Sequence, residues 1–339
     1  MTILGIESSC DETAAALLEV TRGAFRLCSN VVASQIDIHK QYGGVVPEVA
    51  ARNHVLTILP VIEEALNGRK PDVIAVTAGP GLVTSLGVGV LAARTVSSLW
   101  NVPLIGVNHI EGHLYANFLS DKRSIQFPAL VLIVSGGHTE LVIMKDHGRY
   151  KKIGQTLDDA AGEAFDKVAK ILELGYPGGP AISRCAERGD SARFDFPRAL
   201  LDSRDRKYDF SFSGLKTAVL YCLRDLKETK KYSKRLVPHL CAAFQQAVVD
   251  VLIAKTVRAV ENYPIKSVLL GGGVVANALL RSQMRSALSE SHPNISLHIP
   301  PLSYCTDNAA MIATAGYFQA KERNYTPWQK LNVLGEWEL

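Results

Sequence analysis

The apolar positions of this chain fall into short runs, and the polar breaks between them are unusually rich in glycine, hydroxyls and carboxylates. Residues 2–7 and 14–20 are apolar runs flanking the polar turn Ser8-Ser9-Cys10-Asp11-Glu12-Thr13, a pattern that predicts two antiparallel strands with a turn able to bind a ligand. A third strand is predicted over 24–34, a helix from Pro47 to Leu66, and a buried strand at Asp72–Thr77. Gly79-Pro80-Gly81 then breaks the chain before a helix from Val83 to Leu99 and a strand at Pro103–Val107. The second half repeats this order. Strands are predicted at Ala129–Val134, Glu140–Met144 and Tyr150–Thr156, then helices including Val237–Asn262. The strand Ser267–Leu270, the turn Gly271-Gly272-Gly273 and a helix from Val274 onward complete it. A last helix over Ala309–Arg323 is expected to return to the first half. The repeat predicts an α/β fold of two related lobes, 1–126 completed by about 306–339, and 127–305, with a ligand-binding cleft between them.

With 339 residues, 47% apolar and 21% charged, the composition is that of an ordinary folded protein with room for two cores. A glutamate at position 7 arrives too early for a secretory signal, and no run is expected to span a membrane. Six cysteines lie scattered without a Cys-x-x-Cys pair, which predicts free thiols and a cytoplasmic protein. A net charge of +4 does not by itself identify a nucleic-acid binder. The basic residues do cluster in mid-chain: Lys145, Arg149, Lys151 and Lys152; Arg204, Arg206 and Lys207; and Lys227, Lys230, Lys231, Lys234 and Arg235. These groups are solvated faces or a phosphate-contacting surface.

Three turns share one chemistry. Ser135-Gly136-Gly137-His138-Thr139 lies between two predicted strands, Gly271-Gly272-Gly273 between a strand and a helix, and Gly5–Thr13 in the first hairpin. Glycine there lets backbone amides approach an anion or a flat ring. Together they predict a nucleotide site, although neither a Gly-x4-Gly-Lys-Ser/Thr loop nor a dinucleotide-binding Gly-x-Gly-x-x-Gly is present.

His109-Ile110-Glu111-Gly112-His113 places two imidazoles at i and i+4, able to face one divalent cation from a single helical turn. Ile110, Leu114 and Phe118 form the core stripe of that helix, with both imidazoles expected on an adjacent, accessible stripe. The order differs from His-Glu-x-x-His, so Glu111 does not stand where a zinc peptidase keeps its base. A third ligand is to be sought in Cys305-Thr306-Asp307-Asn308, where Asp307 is either a ligand or one of several possible helix caps. A His/His/carboxylate set leaves coordination positions open and suits Fe²⁺ or Zn²⁺.

Taken together, Gly5–Thr13, Gly43–Glu48, Gly79–Gly81, His109–His113, Val134–Thr139, Gly162–Lys167, Phe212–Thr217, Gly271–Asn277 and Cys305–Met311 resemble the TsaD family of tRNA adenosine threonylcarbamoyltransferases along essentially the whole chain. The resemblance implies the actin-like, sugar-kinase-like and chaperone-like ATPase fold. It also implies transfer of threonylcarbamoyl from threonylcarbamoyl-AMP to the exocyclic amine of the adenosine 3′ of the anticodon in tRNAs reading ANN codons, with AMP released. It implies His109, His113 and Asp307 as ligands of a divalent metal, iron before zinc, and Ile133, Val134, Ser135, Gly136, Gly137, Asp166, Gly179 and Asn277 as the set that binds the adenylate. Some members carry an acidic residue where this chain has Ser183, which puts a ribose contact in question. Asp11 or Glu12 is the expected proton acceptor. The bacterial branch implies the partners TsaB and TsaE, with the helix from Pro47 to Leu66 as a docking face, and a TsaC-type enzyme upstream. A sugar kinase on the same fold, a metallopeptidase and a non-catalytic scaffold are the competing readings, and only the first two predict turnover of other substrates.

Overall fold

Every residue of the strand Thr2–Glu7 (β1) beyond its first is buried, as a strand flanked on both sides by others requires. It pairs antiparallel with β2 (Glu12–Thr21) and parallel with β4 (Val73–Gly79). With β3 (Ala24–Ser34) and β5 (Leu104–Asn108) these make a five-stranded sheet in the order β3-β2-β1-β4-β5. The computed structural model describes residues 1–121 and 125–339. It divides into two compact units, 1–124 with 300–339, and 125–299.

In the first unit the helices are α1 (Ile36–His39), α2 (Pro47–Leu66), α3 (Val83–Trp100), α4 (His109–Tyr115) and α5 (Phe118–Asp121). One face of the sheet packs on α2 and α3 around Leu4, Ile6, Ile58, Ile62, Ile74 and Val76. On the other lies the last helix of the chain, Ala309–Lys321, against β1, β4 and α4. Glycines make that approach possible: a Cβ on Gly5 would stand 2.2 Å from the carbonyl oxygen of Ala309.

The second unit repeats the sheet. Strands β6 (Ala129–Val134), β7 (Thr139–Asp146), β8 (Arg149–Gln155), β9 (Ser267–Gly271) and β10 (Ser296–His298) lie in the order β10-β9-β6-β7-β8. Here β6 takes the place of β1, antiparallel to β7 and parallel to β9. Its helices are α6 (Ala161–Ile171), α7 (Gly178–Ala186), α8 (Ser213–Glu228), α9 (Val237–Asn262) and α10 (Ala278–Ser291), so that the final helix Ala309–Lys321 is α11.

Two expectations are corrected, and one strand was not foreseen. The helix expected from Val274 begins at Ala278, because Gly273–Ala276 is a 3-10 turn and the Asn277 side chain accepts from the Leu280 amide to cap the helix proper. The three-residue β10 carries too short a pattern to have been expected. Two helical stretches, Val83–Trp100 and Lys234–Asn262, are long and apolar enough to cross a membrane by length and composition, where none was expected. For the second the cause is local: α9 is the central core helix of its unit, with Leu240, Phe244, Val248 and Leu252 buried.

Candidate metal centre and glycine-turn site

The first unit builds a buried donor cluster from β1, α4 and the residue before α11. Asn108 starts α4 sharply, its Oδ1 accepting from the amides of Ile110 and Glu111 at 2.8 and 3.3 Å. Gly112 lets α11 approach, since a Cβ there would stand 2.6 Å from Cδ1 of Ile312. His109 and His113 consequently lie beneath α11, 7% and 0% exposed, and not on an accessible stripe as their spacing suggested. Asn308, not Asp307, caps α11, accepting from the Met311 amide at 3.0 Å. This leaves the Asp307 carboxylate beside the imidazoles.

The donor atoms of His109, His113 and Asp307 all lie within 4.8 Å of one another. Asp307 Oδ1 is 3.6 Å from His109 Nε2 and 3.2 Å from His113 Nε2. Donors sharing one cation through bonds of about 2.0–2.2 Å stand roughly 3.0–3.5 Å apart. Both ring nitrogens of the fully buried His113 lack a hydrogen-bond partner, its contact with Asp307 being close but misaligned. A buried polar atom left so costs about 1–3 kcal/mol, a cost that coordination at Nε2 would remove. The residues therefore fit a divalent metal.

Glu7 completes the cluster from below. Its Oε2 lies 3.0 Å from His109 Nδ1 and accepts from Thr77 Oγ1 at 2.7 Å, and its Oε1 accepts from the Ser9 amide at 2.6 Å. A carboxylate on Nδ1 turns Nε2 of the same ring toward a metal and raises its basicity. Burial opposes charge on both partners, yet attraction to His109 holds Glu7 below the usual carboxylate range. For His109, burial disfavours the cation, but Asp307 and then Glu7 outweigh it and push the imidazole up to about 9.

The first turn sits beside this cluster, Ser9 Oγ being 3.1 Å from His109 Nδ1. His54 of α2 holds the turn from behind, contacting the Cys10 carbonyl at 3.0 Å and Thr13 Oγ1 at 2.7 Å. Asp11 is buried. Burial, and next the fields of Asp307 and Asp11, push Glu12 up to about 10, so in the metal-free chain it carries a proton at neutral pH. A bound cation opposes those fields.

The second unit assembles the glycine turns. Ile133 and Val134 end β6, and Ser135-Gly136-Gly137 turns back so that the Ser135 amide donates to the His138 carbonyl at 2.8 Å. Gly272, at φ 97°, packs against this turn, where a Cβ would stand 2.4 Å from the Val134 carbonyl oxygen. A Cβ on Gly136, Gly137, Gly179 or Gly273 would meet nothing within 4 Å, so these four glycines border open space. Asp166 Oδ1 accepts from the Gly178 amide at 2.7 Å and fixes the start of α7. Asn277 Nδ2 donates to Ser183 Oγ at 3.0 Å and Gln245 Oε1 at 2.8 Å, while Ser183 Oγ donates to the same Gln245 oxygen at 2.8 Å. Ser183 is thus part of a neutral network with Asn277 and Gln245.

Sequence reasoning missed Glu7 and Gln245. Glu7 stood inside a recognised turn, but its link to His109 spans 102 residues and leaves no local pattern. Gln245 lies on the buried face of α9, where an amide among apolar residues was the available signal.

The family model described as "TsaD: tRNA N6-adenosine threonylcarbamoyltransferase" matches residues 26–314. The protein of that description from Bacillus subtilis (strain 168) is 53% identical over 324 residues, covering 93% of this chain and 90% of its own. Its counterpart in Dehalococcoides mccartyi (strain CBDB1) is 51% identical over 324 residues, covering 94% of each. Among solved structures, full-length HypF in its phosphate- and nucleotide-bound form aligns with a TM-score of 0.61 at 14% identity, over 96% of this chain. HypF of T. kodakarensis gives the same score over 98%. The chain spans about half the length of these HypF structures, 47% and 49%, and the likeness is one of fold.

Proposed function

The chain belongs to the TsaD family of tRNA N6-adenosine threonylcarbamoyltransferases and is a transferase of tRNA modification, and from that premise we propose the reaction, the donor and the residues that serve them. The threonylcarbamoyl group passes from threonylcarbamoyl-AMP to the N6 amine of the adenosine 3′ of the anticodon in tRNAs reading ANN codons. The amine nitrogen forms a bond to the carbamoyl carbon, the bond from that carbon to the phosphate oxygen breaks, and AMP leaves with the electron pair. One amine proton passes to a base. The donor is already activated, so the protein's task is chiefly to align the amine and stabilise charge.

His109, His113 and Asp307 hold a divalent metal in this reading, Fe²⁺ before Zn²⁺. When bound, it supplies Lewis-acid stabilisation of negative charge on oxygen. Glu7 orients His109 for that duty. Ile133, Val134, Ser135, Gly136, Gly137, Asp166, Gly179 and Asn277 receive the AMP portion, the four open glycine positions of the second unit giving backbone close access. Asp11 or Glu12 takes the amine proton.

The observation that carries this reading is the donor set, two buried imidazoles and the half-buried Asp307 carboxylate converging at the start of α11, whose cap is Asn308. The reading extends to a cytoplasmic enzyme working with TsaB and TsaE and supplied by a TsaC-type enzyme. A mixture of the purified chain, these partners, tRNA and threonylcarbamoyl-AMP is expected to yield the modified nucleoside by mass spectrometry. In single turnover, Asp11→Asn or Glu12→Gln is expected to slow transfer, whichever residue takes the proton, with tRNA binding unchanged. Absence of product, with AMP unreleased, overturns the reaction; equal wild-type rates for both variants overturn the base assignment.

A further inference from the structure

We infer that a groove of the second unit, between residues 194–196 and α8, is a stacking site for an unpaired base of the RNA substrate; the inference rests on the tRNA-modifying activity proposed above. None of its residues belongs to the donor set or the glycine turns. The groove encloses about 510 Å³, within the range of about 300–1,000 Å³ usual for small-ligand sites, and its lining includes Phe194, Phe196 and Tyr221, with Asp195, Asp225 and Lys231 as its charged members. The rings of Phe194 and Phe196 lie within 13° of parallel at 6.3 Å, and Tyr221 on the opposite wall is 52% exposed. Phe196 is itself buried, so the faces open to a purine or pyrimidine are those of the half-buried Phe194 and the exposed Tyr221.

The wall is built rather than loose. Arg198 grips Asp250 of α9 through Nε and Nη2 at 3.1 and 2.9 Å, and its Nη1 donates to Asp195 Oδ1 at 2.9 Å and to the Phe196 carbonyl at 2.6 Å. The segment that carries both phenylalanines is therefore tied to the core helix of the unit.

Charge selects the occupant. Asp225 and Glu228, the acidic residues of this end of α8, lie 4.0 and 3.6 Å from the Arg224 guanidinium, which itself stands over the Tyr221 ring at 5.0 Å. Among the described residues no carboxylate lies within 4 Å of Lys227, Lys230, Lys231, Lys234 or Arg235, and Lys227 covers the Tyr232 ring at 5.4 Å. The two carboxylates of the lining, Asp195 and Asp225, face the Arg198 and Arg224 guanidiniums, whereas Lys231, its cation, has no such partner among the described residues and continues into the basic run. Aromatic faces beside an unmatched cation suit a base with its flanking phosphates; an apolar peptide would leave that charge unmatched.

The test is fluorescence anisotropy with the full chain, alone and with its partner proteins, on a tRNA anticodon stem-loop and on a fully paired RNA duplex with the same number of phosphates. Tyr221→Ala and Phe194→Ala are each expected to weaken stem-loop binding about tenfold while leaving duplex binding and the salt dependence unchanged. Tyr221→Trp, which keeps the π-face, is expected to bind as the wild type does. Replacing Lys230, Lys231 and Lys234 with Ala is expected to weaken both RNAs and flatten the salt slope by about two. Unchanged stem-loop affinity in both alanine variants, or an equal loss on the duplex, overturns the stacking site, as would a groove that serves a protein partner instead. Failure of the wild type to make the modified nucleoside would instead overturn the activity on which the inference rests.

Discussion

His113 has both ring nitrogens buried and unbonded, while four residues earlier His109 has Glu7 on one nitrogen and Asp307 near the other. The i,i+4 spacing of the pair was legible because helix geometry alone puts such side chains on one face. Their burial was not, since it comes from α11, which meets α4 only in the folded unit. Nor could the sequence choose among Thr306, Asp307 and Asn308 as cap; the bond from the Met311 amide to Asn308 makes that choice. The titration of His109 has a testable sign. Its imidazole is raised from 6.5 to about 9, so its contribution to the stability of the metal-free chain is whole below about pH 6.5 and is lost as pH rises through about 9. Glu7, held low, contributes above its ordinary range and loses that contribution only in acid, as pH falls through its native value. A metal must displace the His109 proton. Affinity for Fe²⁺ or Zn²⁺, measured by calorimetry under anaerobic conditions, is therefore expected to rise between pH 6.5 and 9 by up to about tenfold per unit. Affinity flat across that window would exclude His109 as a ligand.

Among the elements, the long and strongly patterned ones were readable: α2 was expected at Pro47–Leu66 and α9 at Val237–Asn262, and both have those bounds. β1, β3 and β6 likewise matched their apolar runs. What failed was short or set by side-chain capping, as at β10 and Gly273–Ala276, where a few residues take their conformation from neighbours distant in sequence. One face of α2 remains unexplained by its own unit. Ile58, Val61 and Ile62 are buried against the sheet, yet Val55, Leu56 and Leu59 are exposed by 62%, 74% and 63%. A row of exposed aliphatics on an ordered helix is a feature of protein–protein contact sites. It supports the docking face proposed for a partner of the TsaB kind. Leu56→Glu is expected to weaken that heterodimer at least tenfold in analytical ultracentrifugation without lowering the melting temperature of the isolated chain. A heterodimer of unchanged affinity would remove α2 from the interface.

At the scale of the whole chain, the two sheets share one topology, with β1-β2-β3-β4-β5 and β6-β7-β8-β9-β10 in corresponding places. That repetition was visible in the sequence as the same order of apolar runs and glycine breaks. The division of labour was not, because two copies of one pattern carry different side chains at corresponding turns. The turn after β1 sets Ser9 next to an imidazole and carries Asp11 and Glu12, whereas the turn after β6 offers Ser135 and open glycines. In the reading proposed above, metal chemistry falls to the first unit and donor recognition to the second. The most direct test of that division is single-turnover transfer from threonylcarbamoyl-AMP to tRNA by His113→Ala and Asp307→Ala, with binding of the donor measured separately on the same proteins. Both variants are expected to bind the donor within severalfold of wild type and to transfer the group on the order of 100-fold more slowly. Transfer at the wild-type rate by either variant, with its metal content shown to be lost, would contradict the account.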